Sequence, residues 1–164
     1  MAESEKQSID IPKMRETKKG RINMARWQQH IIAGNHCFDR QLLSDAASHY
    51  QTAKQIAEGL FDSWPDPHTA AAAVIISYHN MADLYLSKAL PTMAVEELQR
   101  VHRIFASALE NQQLQPERRQ ALYCGVRKTY LALLNHRQQH AQEPAVSSAL
   151  APLQNPVNGA KTIN

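Results

Sequence analysis

Apolar and polar residues alternate along the middle of the chain in a helical pattern, interrupted by polar or proline-containing breaks. The apolar residues recur at spacings of three and four, which is typical of helices with one buried face. The breaks predict five helices, at about residues 25–40, 44–62, 67–88, 91–111 and 116–139. The predicted fold class is therefore all-α, with long antiparallel helices joined by short turns.

Proline and capping residues indicate where several of these helices begin. Asp66 can cap a helix whose first residue is Pro67, because the first helical position needs no N–H donor. Pro91 and Pro116 open the next two helices in the same way, and Ser44 is of a good N-cap type for the second helix.

The two ends of the chain differ in composition from the middle. Residues 1–24 are polar and charged and lack helical periodicity, so we expect a disordered basic tail, and Met24 is a candidate translation start. Residues 141–164 contain Pro, Ser, Asn and Gly and predict a second disordered tail. The helical domain is expected at residues 25–140.

Composition favours a soluble cytoplasmic protein. Hydrophobic residues make up 43% of the chain, but none of the apolar runs is long enough for a membrane span, and we see no signal-peptide pattern. The two cysteines, Cys37 and Cys124, do not form a metal-type pair, so we expect free thiols at packed positions.

The formal net charge of +3 is located at the N-terminus. Residues 1–26 carry seven basic and four acidic side chains, and the charges of the remaining residues cancel. A nucleic-acid footprint on the folded part is therefore not indicated. A regulator whose basic N-terminal tail contacts nucleic acid remains an alternative function.

Two windows of the sequence share the same spacing of small and large residues. The first consists of Gly34, Ala46, Tyr50 and Ala53, and the second of Ala82, Ala94, Leu98 and Val101. In each window a small residue in one helix is followed by a small–large–small pattern in the next. Small residues let two helices approach closely, while the large residue fills the gap between helix pairs.

This pattern resembles the tetratricopeptide repeat, whose signature is W-x2-L-G-x2-Y, then A-x3-F, then Pro. The matching segments are Tyr78-x2-Met81-Ala82-x2-Tyr85 with Ala94-x3-Leu98, and His30-x2-Ala33-Gly34-x2-Cys37 with Ala46-x3-Tyr50. A third start, Ala121-x2-Cys124-Gly125-x2-Lys128, has no second half. The resemblance implies an α-α superhelix of antiparallel pairs with a final capping helix. The helices are longer than in the family, and the closing Pro is absent.

The resemblance implies a non-enzymatic protein without cofactor or metal that binds a partner protein or peptide in a concave groove. It would act as an adaptor or chaperone, and bacterial type III secretion chaperones are similar in size and repeat count. The groove residues it implies are Asn35, Phe38, Asp39, His79, Asn80, Asp83, Arg119 and Tyr123.

Tetratricopeptide co-chaperones also clamp a peptide's C-terminal carboxylate with Lys and Asn side chains and an Arg. By spacing, the clamp positions here hold Ile31, Asn35, Asn80, Arg119 and Tyr123. Two of the three cations are missing, so the resemblance implies a weaker site for a polar or acidic peptide. Arg119 would be its cation.

Two further hypotheses stay open at this point. A helical metal- or redox-dependent enzyme could use His79, Asp83, His36 and Cys37, although a metal site needs three or four converging ligands. A homodimer is a second hypothesis, because an array whose last repeat is incomplete exposes apolar surface at its end.

Overall fold

The computed structural model describes residues 15–140, which form five α-helices and no strand. The helices are α1 (Lys18–Asp39), α2 (Leu43–Leu60), α3 (Pro67–Ser87), α4 (Pro91–Leu109) and α5 (Pro116–Gln139). The all-α fold class is confirmed.

The predicted helix starts are largely observed. Prolines occupy the first positions of α3, α4 and α5. The Asp66 carboxylate accepts the His68 N–H at 3.0 Å and the Thr69 hydroxyl at 2.5 Å. The Thr69 hydrogen bond lowers the pKa of this carboxyl. Ser44 is not a cap, because it lies inside α2, whose N-cap residue is Leu42.

The first helix begins seven residues earlier than predicted, at Lys18 rather than at residue 25. The Thr17 hydroxyl oxygen accepts the Gly20 N–H at 3.0 Å and caps the helix. Met24 is only 7% exposed, and the Trp27 indole donates to the Ser77 hydroxyl at 2.9 Å. Residues 18–24 therefore belong to the helical domain and not to a tail, and the basic first turn concealed the signal. The other residues assigned to tails, 1–14 and 141–164, lie outside the described residues.

Two hairpins, α1–α2 and α3–α4, have the same turn. In each turn one residue has a left-handed backbone, with φ of 61° at Gln41 and 55° at Ala89. The turn hydrogen bonds run from the N–H groups of Gln41, Leu42, Ala89 and Leu90 to the carbonyls of Phe38, Cys37, Leu86 and Tyr85, respectively. This is the Schellman motif, which satisfies the last carbonyls of a helix. The 48-residue offset between the two sequence windows is thus also the offset between two equal turns.

The helices form two layers, with α1, α3 and α5 in one and α2 and α4 in the other. Each helix packs against the next in sequence, and α3 also contacts α5 and, to a smaller extent, α1. Ten residues of α3 are buried, compared with two in α1. The central position of α3 therefore fixes where its remaining polar side chains can reach solvent.

The residues predicted to form close helix contacts are buried. Tyr50 is 2% exposed and Ala82 is 2% exposed, and Ala46, Ala53, Ala94 and Val101 are fully buried. A Cβ atom added at Gly34 would lie 2.5 Å from Cε1 of Tyr50, so only glycine fits there without movement. Ala82 shares a hydrophobic cluster with Leu98.

The third predicted repeat start is out of register. A Cβ atom at Gly125 would lie 2.1 Å from Cδ1 of Phe105, so this glycine faces the preceding helix, α4. Ala82 instead clusters with Leu133, eight residues after Gly125. At about 1.5 Å per residue, α5 is displaced by roughly 12 Å from the predicted alignment.

A buried ion pair connects α2 and α4, the two helices of the second layer. Lys54 on α2 and Glu97 on α4 are 3% and 8% exposed, and their charged atoms lie 2.5 Å apart. The Lys54 ammonium also lies 4.3 Å from the centre of the Tyr78 ring, and the Tyr78 hydroxyl donates to Glu58. The network ties the two hairpins together across α3.

Candidate functional site

Two of the predicted groove residues meet on the exposed side of α1 and α3. The Asn35 side-chain oxygen accepts hydrogen bonds from the Asn80 amide at 3.2 Å and from the Tyr50 hydroxyl at 2.8 Å. Tyr50 is anchored in the core, so it holds Asn35 in place, and Asn35 in turn positions Asn80. We call Asn35, Asn80, Asp39 and Asp83 the amide–carboxylate patch.

The patch has a negative character. Burial, followed by the charges of Asp39 and Asp83, raises the pKa of Tyr50 to about 12. Asp39 is the last residue of α1, and Asp83 lies in the last turns of α3. The C-terminal end of a helix carries a partial negative charge, which adds to that of the carboxylates.

The other predicted groove residues are placed differently. Phe38 packs against the cluster around Tyr50 and is only partly exposed, so it supports the patch from below. Arg119 lies in the first turn of α5, where its guanidinium donates to the carbonyls of Asn111 and Gln112. Tyr123 is 59% exposed further along α5.

Arg119 is consequently not the cation of a carboxylate clamp. The part of α5 opposite Ala82 is near Leu133, fourteen residues after Arg119. At about 1.5 Å per residue this is roughly 21 Å along the helix, well outside the reach of a side chain. The convergence expected for Asn35, Asn80 and Arg119 therefore holds only for the two asparagines.

A pocket of about 210 Å³ lies between the C-terminal halves of α3 and α5. We call it the α3–α5 pocket. Its lining consists of His79, Ala82, Asp83, Leu86, Leu98, Ala132, Asn135, His136 and Gln139. Asp83 borders both this pocket and the amide–carboxylate patch. The two features form one continuous surface across α1, α3 and α5, which we call the three-helix face.

His79 and Asp83 have shifted pKa values. Burial lowers the pKa of His79, so its imidazole is neutral at pH 7. The Nε2 atom of His79 is buried and has no hydrogen-bond partner among the described residues. Asp83 reaches the surface, but the surrounding protein still removes enough water to raise the pKa of its carboxyl.

The sequence did not indicate the contribution of α5 to this pocket. His136 is only 3% exposed, and its ring centroid lies 4.5 Å from that of His140, with the two rings tilted by 33°. Asn135 and Gln139 complete the polar rim. The available signal was the spacing of Ala132, Asn135, His136 and Gln139, which places them on one side of a helix.

Several other expectations concern metals, thiols and membranes. Within residues 15–140, no group of three His, Cys, Asp or Glu side chains is arranged to hold a metal ion. Cys37 is partly buried beside Tyr50, whereas Cys124, expected to be packed, is exposed. None of the helices in this range has both the length and the apolar character needed to cross a bilayer.

Comparisons with known proteins identify a family but no function. No curated protein and no solved structure matches the chain significantly. The family described as "Protein of unknown function (DUF2753)" matches residues 25–163, which include all but the first turns of the helical domain. This protein is therefore a member of the DUF2753 family.

Proposed function

We propose that this protein is a non-enzymatic binding module that holds a segment of another polypeptide on the three-helix face. The supporting observation is the hydrogen-bonded pair Asn35–Asn80, which joins α1 to α3 and continues through Asp83 into the α3–α5 pocket. Polar side chains from three helices are thereby arranged in a row that no single helix could provide.

The chemistry of this row suits an extended peptide. Amide side chains both donate and accept hydrogen bonds, and can therefore pair with the N–H and C=O groups of a peptide backbone. Neighbouring helices lie roughly 8–10 Å apart, so three helices span roughly 16–20 Å. A fully extended segment of five or six residues covers about that distance.

The charges favour a neutral or basic segment. Asp39 and Asp83 contribute carboxylates, while the guanidinium of Arg119 binds backbone carbonyls of the turn between α4 and α5. The partner is thus proposed to differ from the acidic peptide that the resemblance to carboxylate-clamp proteins implied. An adaptor or chaperone role, including one like that of type III secretion chaperones, is a variant of the same proposal.

Site-specific photo-crosslinking in the native host tests this proposal. A photoreactive phenylalanine analogue replaces Ile76, which is 40% exposed one turn before Asn80. The control carries the same analogue at Gln55, an exposed position on α2. We expect position 76 to crosslink a discrete polypeptide that position 55 does not crosslink.

The identified polypeptide then allows an affinity measurement. One hydrogen bond contributes about 0.5–1.5 kcal/mol, so Asn80→Ala should weaken binding roughly two- to tenfold, with only a small loss of stability from its exposed bond to Asn35. Equal crosslinking at positions 76 and 55, or unchanged affinity of Asn80→Ala together with Asn35→Ala, would refute the proposal. The predicted homodimer remains a separate prediction, which a molar mass from light scattering tests.

A further inference from the structure

One residue that lines the α3–α5 pocket, His79, carries a polar atom that the described protein leaves unsatisfied. Nε2 of His79 is buried, and no described residue makes a hydrogen bond to it. Buried polar groups in folded proteins are nearly always hydrogen-bonded, because an unpaired one loses its water without compensation. Because Nε2 has almost no accessible surface, a ligand donor reaches it and restores the missing bond only after a small rotation of the His79 ring toward the pocket.

Several groups that line the pocket can accept hydrogen bonds. A neutral imidazole has one accepting nitrogen, and Asp83 adds a carboxylate. The amides of Asn135 and Gln139, which have both a carbonyl oxygen and an NH2 group, can each turn the oxygen toward a donor. This arrangement matches a ligand group that has several N–H donors.

The charge at the pocket favours a cation. Asp83 is the one carboxylate in the lining, and neither Lys nor Arg is among the described lining residues. The pocket also lies beside the last turns of α3 and α5, where the helix dipoles are negative. An anionic group would therefore meet repulsion from both sources.

The remaining walls are apolar and the volume is limited. The 210 Å³ space is also lined by Ala82, Leu86, Leu98 and Ala132. A water molecule occupies about 30 Å³ in the liquid, so the pocket admits one long side chain but not a folded element. Long basic side chains pack their methylene groups on apolar surface while the charged head binds polar groups.

We propose that the α3–α5 pocket binds an arginine side chain of the partner polypeptide. The guanidinium offers five N–H donors in a planar arrangement, which fits a carboxylate with several neighbouring acceptors better than the three donors of an ammonium group. This inference rests on the proposed function, since the arginine belongs to the segment held on the three-helix face.

A short peptide tests the pocket directly in the full-length protein. The probe is acetyl-Gly-Arg-Gly-amide, and the matched controls carry citrulline, the uncharged isostere of arginine, or lysine. NMR signals of ¹³C-labelled histidine report occupancy at His79. We expect the arginine peptide to shift the His79 signal in a saturable manner, with at least tenfold weaker binding of the citrulline peptide and weaker binding of the lysine peptide.

Protein variants test whether the Asp83 carboxylate is responsible for binding the arginine peptide. Asp83→Asn removes the charge with little change in shape and should weaken binding of the arginine peptide at least tenfold. The control is Glu96→Gln, which removes an exposed carboxylate on α4 and should leave binding unchanged. Equal binding of the citrulline peptide, tighter or equal binding of the lysine peptide, or an unaffected Asp83→Asn variant would overturn the proposal.

Three further outcomes distinguish the arginine site from the binding module and from occupation by the chain's own C-terminal segment. If the arginine peptide does not bind while crosslinking at position 76 depends on Asn80, the arginine site is wrong and the binding module stands. If the arginine peptide binds but crosslinking at position 76 does not depend on Asn80, the pocket binds arginine without being part of a polypeptide-binding face. If Lys161→Gln shifts the His79 signal in the absence of peptide, and the arginine peptide does not shift it in either protein, the occupant is the chain's own C-terminal segment and the arginine proposal is overturned.

Discussion

The first hairpin, α1–α2, and the second, α3–α4, have equal turns but different contacts between their helices. Gly34 of the first faces the ring of Tyr50, whereas Ala82 of the second shares a cluster with Leu98. Glycine, the smaller of the two small residues, faces the larger tyrosine, and alanine shares its cluster with the smaller leucine. The comparison shows that the turn fixes the path of the chain, while complementary side-chain volumes keep the contact filled.

The two hairpins also differ in how much of them is covered. In α1 only Met24 and Gly34 are buried, whereas α3 is enclosed by α2, α4 and α5. Polar side chains of α1 are therefore mainly solvated. Those of α3 emerge at the few places its neighbours leave open, and this is why His79 and Asp83 have shifted pKa values.

The largest expected effect comes from breaking the link between the hairpins. Glu97→Ala leaves the Lys54 ammonium buried without its counter-charge, so we expect a loss of about 3–5 kcal/mol in the free energy of unfolding. Denaturant titration measures this value. The double variant Lys54→Met/Glu97→Leu should be as stable as the wild type or more stable by up to about 4 kcal/mol, because it removes both buried charges. A Glu97→Ala protein of wild-type stability would contradict the role of this ion pair.

Exchange of the contact residues tests volume complementarity. Gly34→Ala should cost roughly 1–3 kcal/mol, because the new methyl group overlaps the Tyr50 ring. Gly34→Ala/Tyr50→Leu copies the second hairpin into the first. Its loss of stability should be smaller than the sum of the two single losses by about 0.5–3 kcal/mol. Strict additivity would show that the two hairpins do not follow a common packing rule.

The equal turns predict equal responses to glycine. Gln41 and Ala89 both have a left-handed backbone, which costs other residues roughly 1–2 kcal/mol relative to glycine. Glycine avoids this cost but loses more conformational entropy on folding. Gln41→Gly and Ala89→Gly should therefore each raise the free energy of unfolding by up to about 1 kcal/mol. Lys88→Gly is the control, since Lys88 has φ of −92° and should gain nothing. Thermal melts that show opposite signs for the first two variants would break the comparison.

The smallest expected effect is a dependence of stability on pH. Burial lowers the pKa of His30, His79 and His102 below 6.5 in the folded protein. As the pH falls, these imidazoles are therefore protonated at a higher pH in the unfolded chain than in the folded protein. Stability is thus fully present above pH 6.5 and is lost as the pH falls through the lowered pKa values. The raised pKa of Asp83 acts in the opposite direction, but nearer pH 4.

We expect the melting temperature to fall between pH 7 and pH 5. His30→Leu removes the contribution from the first hairpin and His79→Leu one from the second, so each should flatten the pH profile. His68→Gln, at an exposed position, should not. A melting temperature that is constant over this range would show that burial does not hold these imidazoles neutral.

The sequence predicted part of the candidate site. Spacing from the small residues placed Asn35 and Asn80 on one face, and these two side chains are hydrogen-bonded. The same spacing placed Arg119 wrongly, because it aligned Gly125 with Ala82. Gly125 instead faces Phe105 of the preceding helix. A glycine in a helix indicates a close approach, but the spacing alone does not say which neighbouring helix approaches.

The sequence by itself determined the elements of this protein that depend on nearby residues. Helix periodicity, prolines at helix starts and the Asp66 cap are local, because the groups involved are a few residues apart. Only the tertiary structure decided the register of α5 against α3, the Lys54–Glu97 link and the burial of His79 and His136. These features join residues that are distant in the chain, and their positions follow from how whole helix surfaces fit together.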